Sequence, residues 1–371
     1  MDMERKEWIP EWALTPVWQG DTAAHETVLF LSDRESARLL YPADEILSVV
    51  SADQKTEYVR GRDYALMDGC LLRLPGSAIP AFPIEEYYPA EHKDGADFGC
   101  TVEGHPYLVF GEGDTFTRWQ IDVTYRHHGT WNGTIPAGSR QSFADFHNKM
   151  ASGAPVTIAF YGDSITTGAN SSGTCGNAPY MASFPHMIAE EIAKAYGYTV
   201  EYLRDPYEEA AREASGKART LRFYNTAVGG MDSRWGDAHV EELVNVYAPD
   251  LAVYAFGMND GGKSAEEFMA LTRSAVGKIR RAYPQCGICL VSTMLPHFRA
   301  AGFFGHQIEY EPYMFDYAAE DDRMAVAPMT TVHQTLLRRK EFYDMTGNNV
   351  NHCNDYLARV YAMTILRTIM D

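Results

Sequence analysis

Residues 155–162 read Pro-Val-Thr-Ile-Ala-Phe-Tyr-Gly, an apolar run with almost no polar alternation. A strand of that kind has no wet face, and such strands belong to parallel sheets covered by helices on both sides. The same unit recurs down the chain. Apolar runs at 221–226, 251–256, 287–293 and 324–327 are interspersed with helix-like stretches at 183–196, 237–247 and 265–283. This repetition predicts an α/β domain over residues 151–371, with a parallel sheet between two helical layers. Ligands in such sheets gather beyond the carboxyl ends of the strands, so the chemistry is sought in the loops that follow them.

Upstream of residue 150 the pattern changes. Short β-type runs at 27–31, 46–51, 64–66, 70–74, 107–110 and 119–125 are separated by Asp68-Gly69, Pro75-Gly76, Gly111-Glu112-Gly113 and Asn132-Gly133. Many short strands with turn punctuation predict an all-β sandwich, jelly-roll-like, over residues 1–150. A chain of 371 residues is long for one core, which agrees with two units.

The balance of 50 acidic to 32 basic residues, a net charge of −18, repels nucleic acid and anionic membranes but not neutral molecules such as acylated sugars. The first ten residues, MDMERKEWIP, hold no apolar signal-peptide core, and no stretch approaches 18 apolar residues. The expectation is a cytoplasmic protein with no membrane partner. Six cysteines are scattered without a disulfide or zinc pattern, and Cys286-x-x-Cys289 leads into an apolar run with no second Cys/His pair, so these two read as buried thiols. No metal is implied.

Four strand-end blocks stand out. After the first strand comes Gly162-Asp163-Ser164, which puts a hydroxyl where a strand hands over to a loop; a turn would use the same residues. A serine hydroxyl is a weak nucleophile and needs a base beside it. After the second comes Asn225-Thr226-Ala227-Val228-Gly229-Gly230, whose paired glycines allow a close backbone approach or a plain tight turn. After the third comes Gly257-Met258-Asn259-Asp260, where an asparagine amide is able to donate to a developing oxyanion or to cap a helix. Near the C-terminus, Asn349-Val350-Asn351-His352 precedes a helix-like run at 356–370, and imidazole is the usual base for a serine nucleophile.

Together these blocks resemble the SGNH (GDSL-type) hydrolase superfamily, in which Ser, Gly, Asn and His follow successive strands in that order. The resemblance covers residues 155–371 and implies a flavodoxin-like three-layer domain with no cofactor. By position it implies Ser164 as the nucleophile and one oxyanion donor, Gly230 N–H and the Asn259 side chain as further donors, and His352 as general base and acid. A β-sandwich ahead of such a domain is similar to the layout of bacterial carbohydrate esterases. That likeness implies a small-acyl, acetylesterase-like activity on sugars or oligosaccharides, with Tyr87, Tyr88, Trp119 and Trp131 either lining a sugar site or simply packed.

One position departs from the resemblance. The family usually has Asp three residues before its histidine, and here that residue is Asn349. Three arrangements are compatible with this: a Ser164–His352 dyad with a backbone carbonyl orienting the ring, which is favoured; Asp344 approaching from upstream; or a weak or inactive enzyme. The last leaves open a non-catalytic, esterase-like carbohydrate-binding protein. Residues 257–264, G-M-N-D-G-G-K-S, also satisfy the P-loop pattern after a strand and before a helix, which keeps a nucleotide-binding module as an alternative, although Asp260 would set a carboxylate among the phosphates. The loop-like stretch 294–316, with His297, Phe303, Phe304, His306 and Tyr310, reads as a lid, a contact in a homo-oligomer, or a packed loop.

Overall fold

A computed structural model describes residues 14–203 and 218–371; the first ten residues, read above for a signal peptide, lie outside them. The upstream strands are antiparallel. They are β1 (Thr22–Leu29), β2 (Ser36–Ala37), β3 (Glu45–Ser51), β4 (Tyr64–Met67), β5 (Cys70–Arg73), β6 (Asp97–Gly99), β7 (Tyr107–Val109) and β8 (Gln120–Arg126). They pair as β1-β8-β3, β2-β5-β4 and the β6-β7 ribbon, so the expected β-rich region is present as small sheets of three, three and two strands. A short helix, α1 (Ile84–Tyr87), lies between β5 and β6.

Downstream, six parallel strands form one sheet in the order β10-β11-β9-β12-β13-β14: β9 (Val156–Gly162), β10 (Thr199–Leu203), β11 (Thr220–Asn225), β12 (Leu251–Ala255), β13 (Gly287–Val291) and β14 (Met324–Ala327). Helices α2 (Ala144–Ala151), α3 (Ser164–Thr167), α4 (Ser172–Cys175), α5 (Phe184–Tyr196), α6 (Ser233–Leu243), α7 (Ala265–Ala282), α8 (Tyr310–Ala318), α9 (Met329–Leu336) and α10 (Asp355–Met370) complete it. Every residue of β9 is buried, and its alternate side chains serve two cores. Ile158 and Phe160 join Ile188 and Ile192 of α5 and Leu357 and Tyr361 of α10. Ala159 and Tyr161 join Val240 of α6 and Phe268 and Ile279 of α7. This is the expected three-layer α/β/α arrangement, and the period-2 strand geometry explains why a central strand must be apolar on both faces.

Local signals set the helix ends. Asp232 accepts from Trp235 N–H and starts α6 four residues before the expected 237, because the capping carboxylate outweighs the apolar pattern. Ser264 caps α7, which carries Glu266 and Glu267 in its first turn and Arg280 and Arg281 in its last, as the helix dipole favours. The half-exposed edge strand β10 escaped the apolar-run criterion, and α8 lies partly within the stretch read as a loop. Cys286 and Cys289 are buried free thiols, both pushed up to about 12 by burial. No helix among the described residues is long and apolar enough to cross a membrane.

A third apolar cluster, with Leu29, Phe82, Tyr87, Leu108 and Phe116 on one side and Ala300, Tyr343 and Val350 on the other, joins the antiparallel region to the segment that carries His352. Polar bonds reinforce this seam. Gln120 of β8 donates to the carbonyls of Tyr343 and Thr346 at 2.8 Å each, and the Lys340 ammonium, fully buried, meets Glu26 at 2.6 Å.

Candidate active site

Ser164 is the first residue of α3, directly after β9, and is 7% exposed. The turn before it is tight. A Cβ on Gly162 would stand 2.4 Å from the Ala255 carbonyl oxygen and 2.4 Å from Thr166 Oγ1, so only glycine fits where β9 passes β12. Asp163 caps α3, accepting from Ile165 N–H at 3.0 Å. Burial, chiefly, and the nearby Asp260 push the Asp163 carboxyl up to about 7. As the first residue of its helix, Ser164 has an N–H that helix geometry leaves without an intrahelical acceptor.

His352 arrives from the loop ahead of α10. The Asn348 side-chain oxygen collects the N–H groups of Val350, Asn351 and His352 at 3.0 Å each, and Thr346 Oγ1 donates to the His352 carbonyl at 2.9 Å. This clamp holds His352 Nε2 2.8 Å from Ser164 Oγ. On the other side of the ring, Nδ1 lies 2.7 Å from Asn170 Oδ1 and 3.3 Å from Glu112 Oε2. The Asn170 amide nitrogen donates to the Gly347 carbonyl at 3.3 Å, which turns its oxygen toward the ring. Both neighbours of Nδ1 are therefore acceptors. The proton belongs on Nδ1, and the Nε2 lone pair faces the serine hydroxyl.

The glycine block also comes to this place. Val228 N–H bonds the Gly162 carbonyl at 3.1 Å, and a Cβ on Gly229 would lie 3.8 Å from Ser164 Cβ. Gly230 follows with φ +77°, a left-handed conformation that favours glycine, and Val228, Gly229 and Gly230 are exposed. Asn225 braces the turn through its amide to the Thr166 carbonyl at 2.8 Å. Asn259 is half-buried and uses one amide N–H on the Met231 carbonyl at 2.9 Å, which leaves its second N–H for a ligand.

Neither residue offered for orienting His352 touches it. Asn349, with φ +69°, donates to the Val109 carbonyl at 3.0 Å and accepts from Tyr87 Oη at 3.2 Å, so its amide faces the antiparallel region. The Asp344 carboxylate accepts from Leu29 N–H at 2.9 Å and Glu341 N–H at 3.0 Å near Lys340, and burial raises it to about 6. The groups at Nδ1 are Asn170 and Glu112, which sequence reasoning missed. Asn170 stood six residues past Ser164 with nothing to mark it, and Glu112 lay in a glycine pair read as turn punctuation.

The loop 257–264 offers no phosphate cradle. Lys263 is held by Asp232 at 2.7 Å and Asp260 at 3.0 Å, and Asp260 is itself bonded to Ser233 N–H and Oγ. Two carboxylates against one ammonium repel a polyphosphate. Of the aromatic residues considered for a sugar site, Tyr87 is fully buried against Phe82, Tyr88 and Tyr343 and belongs to the core. His297 is buried, and its N–H bonds the Val350 carbonyl at 2.7 Å, so that part of the 294–316 stretch braces the histidine loop. Among the described residues no three His, Cys, Asp or Glu side chains converge on a metal position. A cavity of about 320 Å³ lies behind Asn170, lined by Asp53, Lys55, Arg118 and Asp122 among others but by neither Ser164 nor His352.

The model of the GDSL-like Lipase/Acylhydrolase family matches residues 160–352. No curated protein matches the chain. Solved structures that it resembles include a two-domain esterase (CEX) active on acetylated mannans, at 19% identity over 63% of this chain and 53% of that one, with a TM-score of 0.46. Another is Axe2, an acetylxylan esterase from Geobacillus stearothermophilus, at 17% identity over 58% of this chain and 94% of that one, with a TM-score of 0.43. The chain thus spans about half the length of the two-domain esterase.

Proposed function

The chain belongs to the GDSL-like lipase/acylhydrolase family, and from that premise we propose that it is a serine esterase acting through an acyl-Ser164 intermediate. The observation that carries the reading is the 2.8 Å contact between Ser164 Oγ and His352 Nε2, with Nδ1 on the far side held by acceptors. Serine attacks the ester carbonyl carbon while its proton passes to Nε2. The carbonyl oxygen, now anionic, is met by Ser164 N–H, Gly230 N–H and the free amide N–H of Asn259. Collapse expels the alcohol, which takes the proton from Nε2. Water then repeats the sequence on the acyl-enzyme, releasing the carboxylic acid and restoring the serine.

The substrate class we propose is a small acyl ester of a sugar or oligosaccharide, O-acetyl groups first. A neutral polyol ester is not repelled by a chain of net charge −18. The exposed turn at Val228, Gly229 and Gly230 leaves room beside the nucleophile for a bulky alcohol. The test is a panel of acetylated sugars and p-nitrophenyl esters on the native protein and on Ser164→Ala, with fluorophosphonate labelling alongside. Hydrolysis by the native protein, a loss of at least about 10³-fold in the variant and labelling of Ser164 alone support the reading. Equal rates in the two proteins overturn it.

A further inference from the structure

We propose that Glu112, carried by the antiparallel region, is the acidic positioning residue of the Ser164–His352 pair, standing in for the carboxylate that the family places three residues before its histidine. The inference rests on the esterase reading above and concerns what holds and charge-balances the base. It would make the hydrolytic machinery a joint product of the two halves of the chain, since Glu112 and His352 are 240 residues apart.

Three observations converge. The first is the orientation of Asn349. Bonded to the Val109 carbonyl and Tyr87 Oη, it docks the end of β7, and the chain leaving β7 reaches Glu112 three residues later. The residue at the family's acid position thus anchors the segment that brings in another acid. The second is that Glu112 is fastened to the histidine loop. Its Oε1 accepts from Asn348 Nδ2 at 3.2 Å, and the other end of that amide gathers the N–H groups of residues 350, 351 and 352. Gly111 N–H adds a bond to the Asn348 carbonyl at 3.4 Å. The third is chemical. The one Nδ1 proton has two acceptors, and the nearer, Asn170, is neutral. It fixes the tautomer and direction of the ring, and of these two acceptors only Glu112 carries a charge to set against the one that appears when Nε2 takes the serine proton. Burial pushes the Glu112 carboxyl up, and the His352 imidazole with the Asn348 and Asn170 amides outweighs that and holds it below the usual glutamate range.

The Glu112 side chain is 52% exposed, and an ion pair so wetted contributes little to folding. This makes Glu112→Gln a clean probe: it keeps the shape, removes the charge and leaves the thermal midpoint unchanged. In the serine-protease template, losing the carboxylate costs about 10⁴ in kcat, much of it from the wrong tautomer. Here Asn170 preserves the tautomer and water screens the carboxylate, so the expected loss in kcat is about 10- to 100-fold with KM unchanged. A kcat within twofold of native overturns the proposal. So does a fall in kcat that comes with a raised KM or a lowered thermal midpoint, which marks a loosened loop. In either case a dead Ser164→Ala leaves the esterase reading standing, whereas an active Ser164→Ala removes that reading itself.

Discussion

The Asn349 amide and the Val109 carbonyl meet at 3.0 Å across the seam between the antiparallel region and the histidine loop. A residue whose place in the family calls for a catalytic carboxylate is here a fully buried structural clamp, with its second amide atom on Tyr87. Restoring the family's acid should therefore fail. Asn349→Asp sets a carboxylate against a carbonyl oxygen in a dry site and removes a donor, at a cost of about 3 kcal/mol in stability. Its kcat does not rise. Thermal melting and steady-state kinetics check both parts, and a gain in kcat would show that the side chain reaches the ring after all.

Asn170 orients the imidazole through a 2.7 Å bond and sits at φ +63°, a conformation glycine adopts freely. Asn170→Gly thus removes the amide without straining the backbone. The ring then keeps only the longer contact to Glu112, and kcat is expected to fall about 10- to 100-fold with KM within about twofold. Native kcat in this variant would mean that the direction of the ring is set elsewhere.

Asp163, next to Ser164, is fully buried, and its carboxyl, raised to about 7, keeps its proton longer in the folded chain than in the unfolded one. The sign follows from linkage. Stability from this group is fully present below about pH 4 and is lost as pH rises through about 7. Asp163→Asn has no such loss. The stability of the variant relative to native should grow between about pH 4 and 7, by at most about 1.4 kcal/mol per pH unit, and level off above. Asp344 and Asp355, both raised to about 6 by burial, act in the same direction, but they are common to both proteins and cancel in the difference. Denaturant unfolding of the pair at several pH values reads this directly, and a difference that stays flat with pH would show that Asp163 is ionised throughout.

Much of this was legible in order along the chain. The two-faced burial of β9 followed from its uninterrupted apolar residues, and the blocks at Ser164, Gly230 and Asn259 fell at the ends of parallel strands because period and composition mark those strands locally. The edge strand β10 and helix α8 were hidden because half-exposed elements lack the contrast that such reading depends on. The P-loop pattern at 257–264 matched letter by letter, yet Asp232, a residue outside the pattern, helps hold its lysine.

What the sequence alone determined is the type of sheet, the place of each strand-end block and the presence of a serine and a histidine suited to work as a pair. What only the tertiary structure decided is which groups stand behind that histidine. The direction of Asn349 depends on Val109 and Tyr87, and the approach of Glu112 depends on how an antiparallel region docks across 240 residues of chain. The physical reason is one of range. Burial periodicity and helix caps are written within a few residues, whereas a hydrogen bond at 3 Å between distant segments is set by the packing of everything between them.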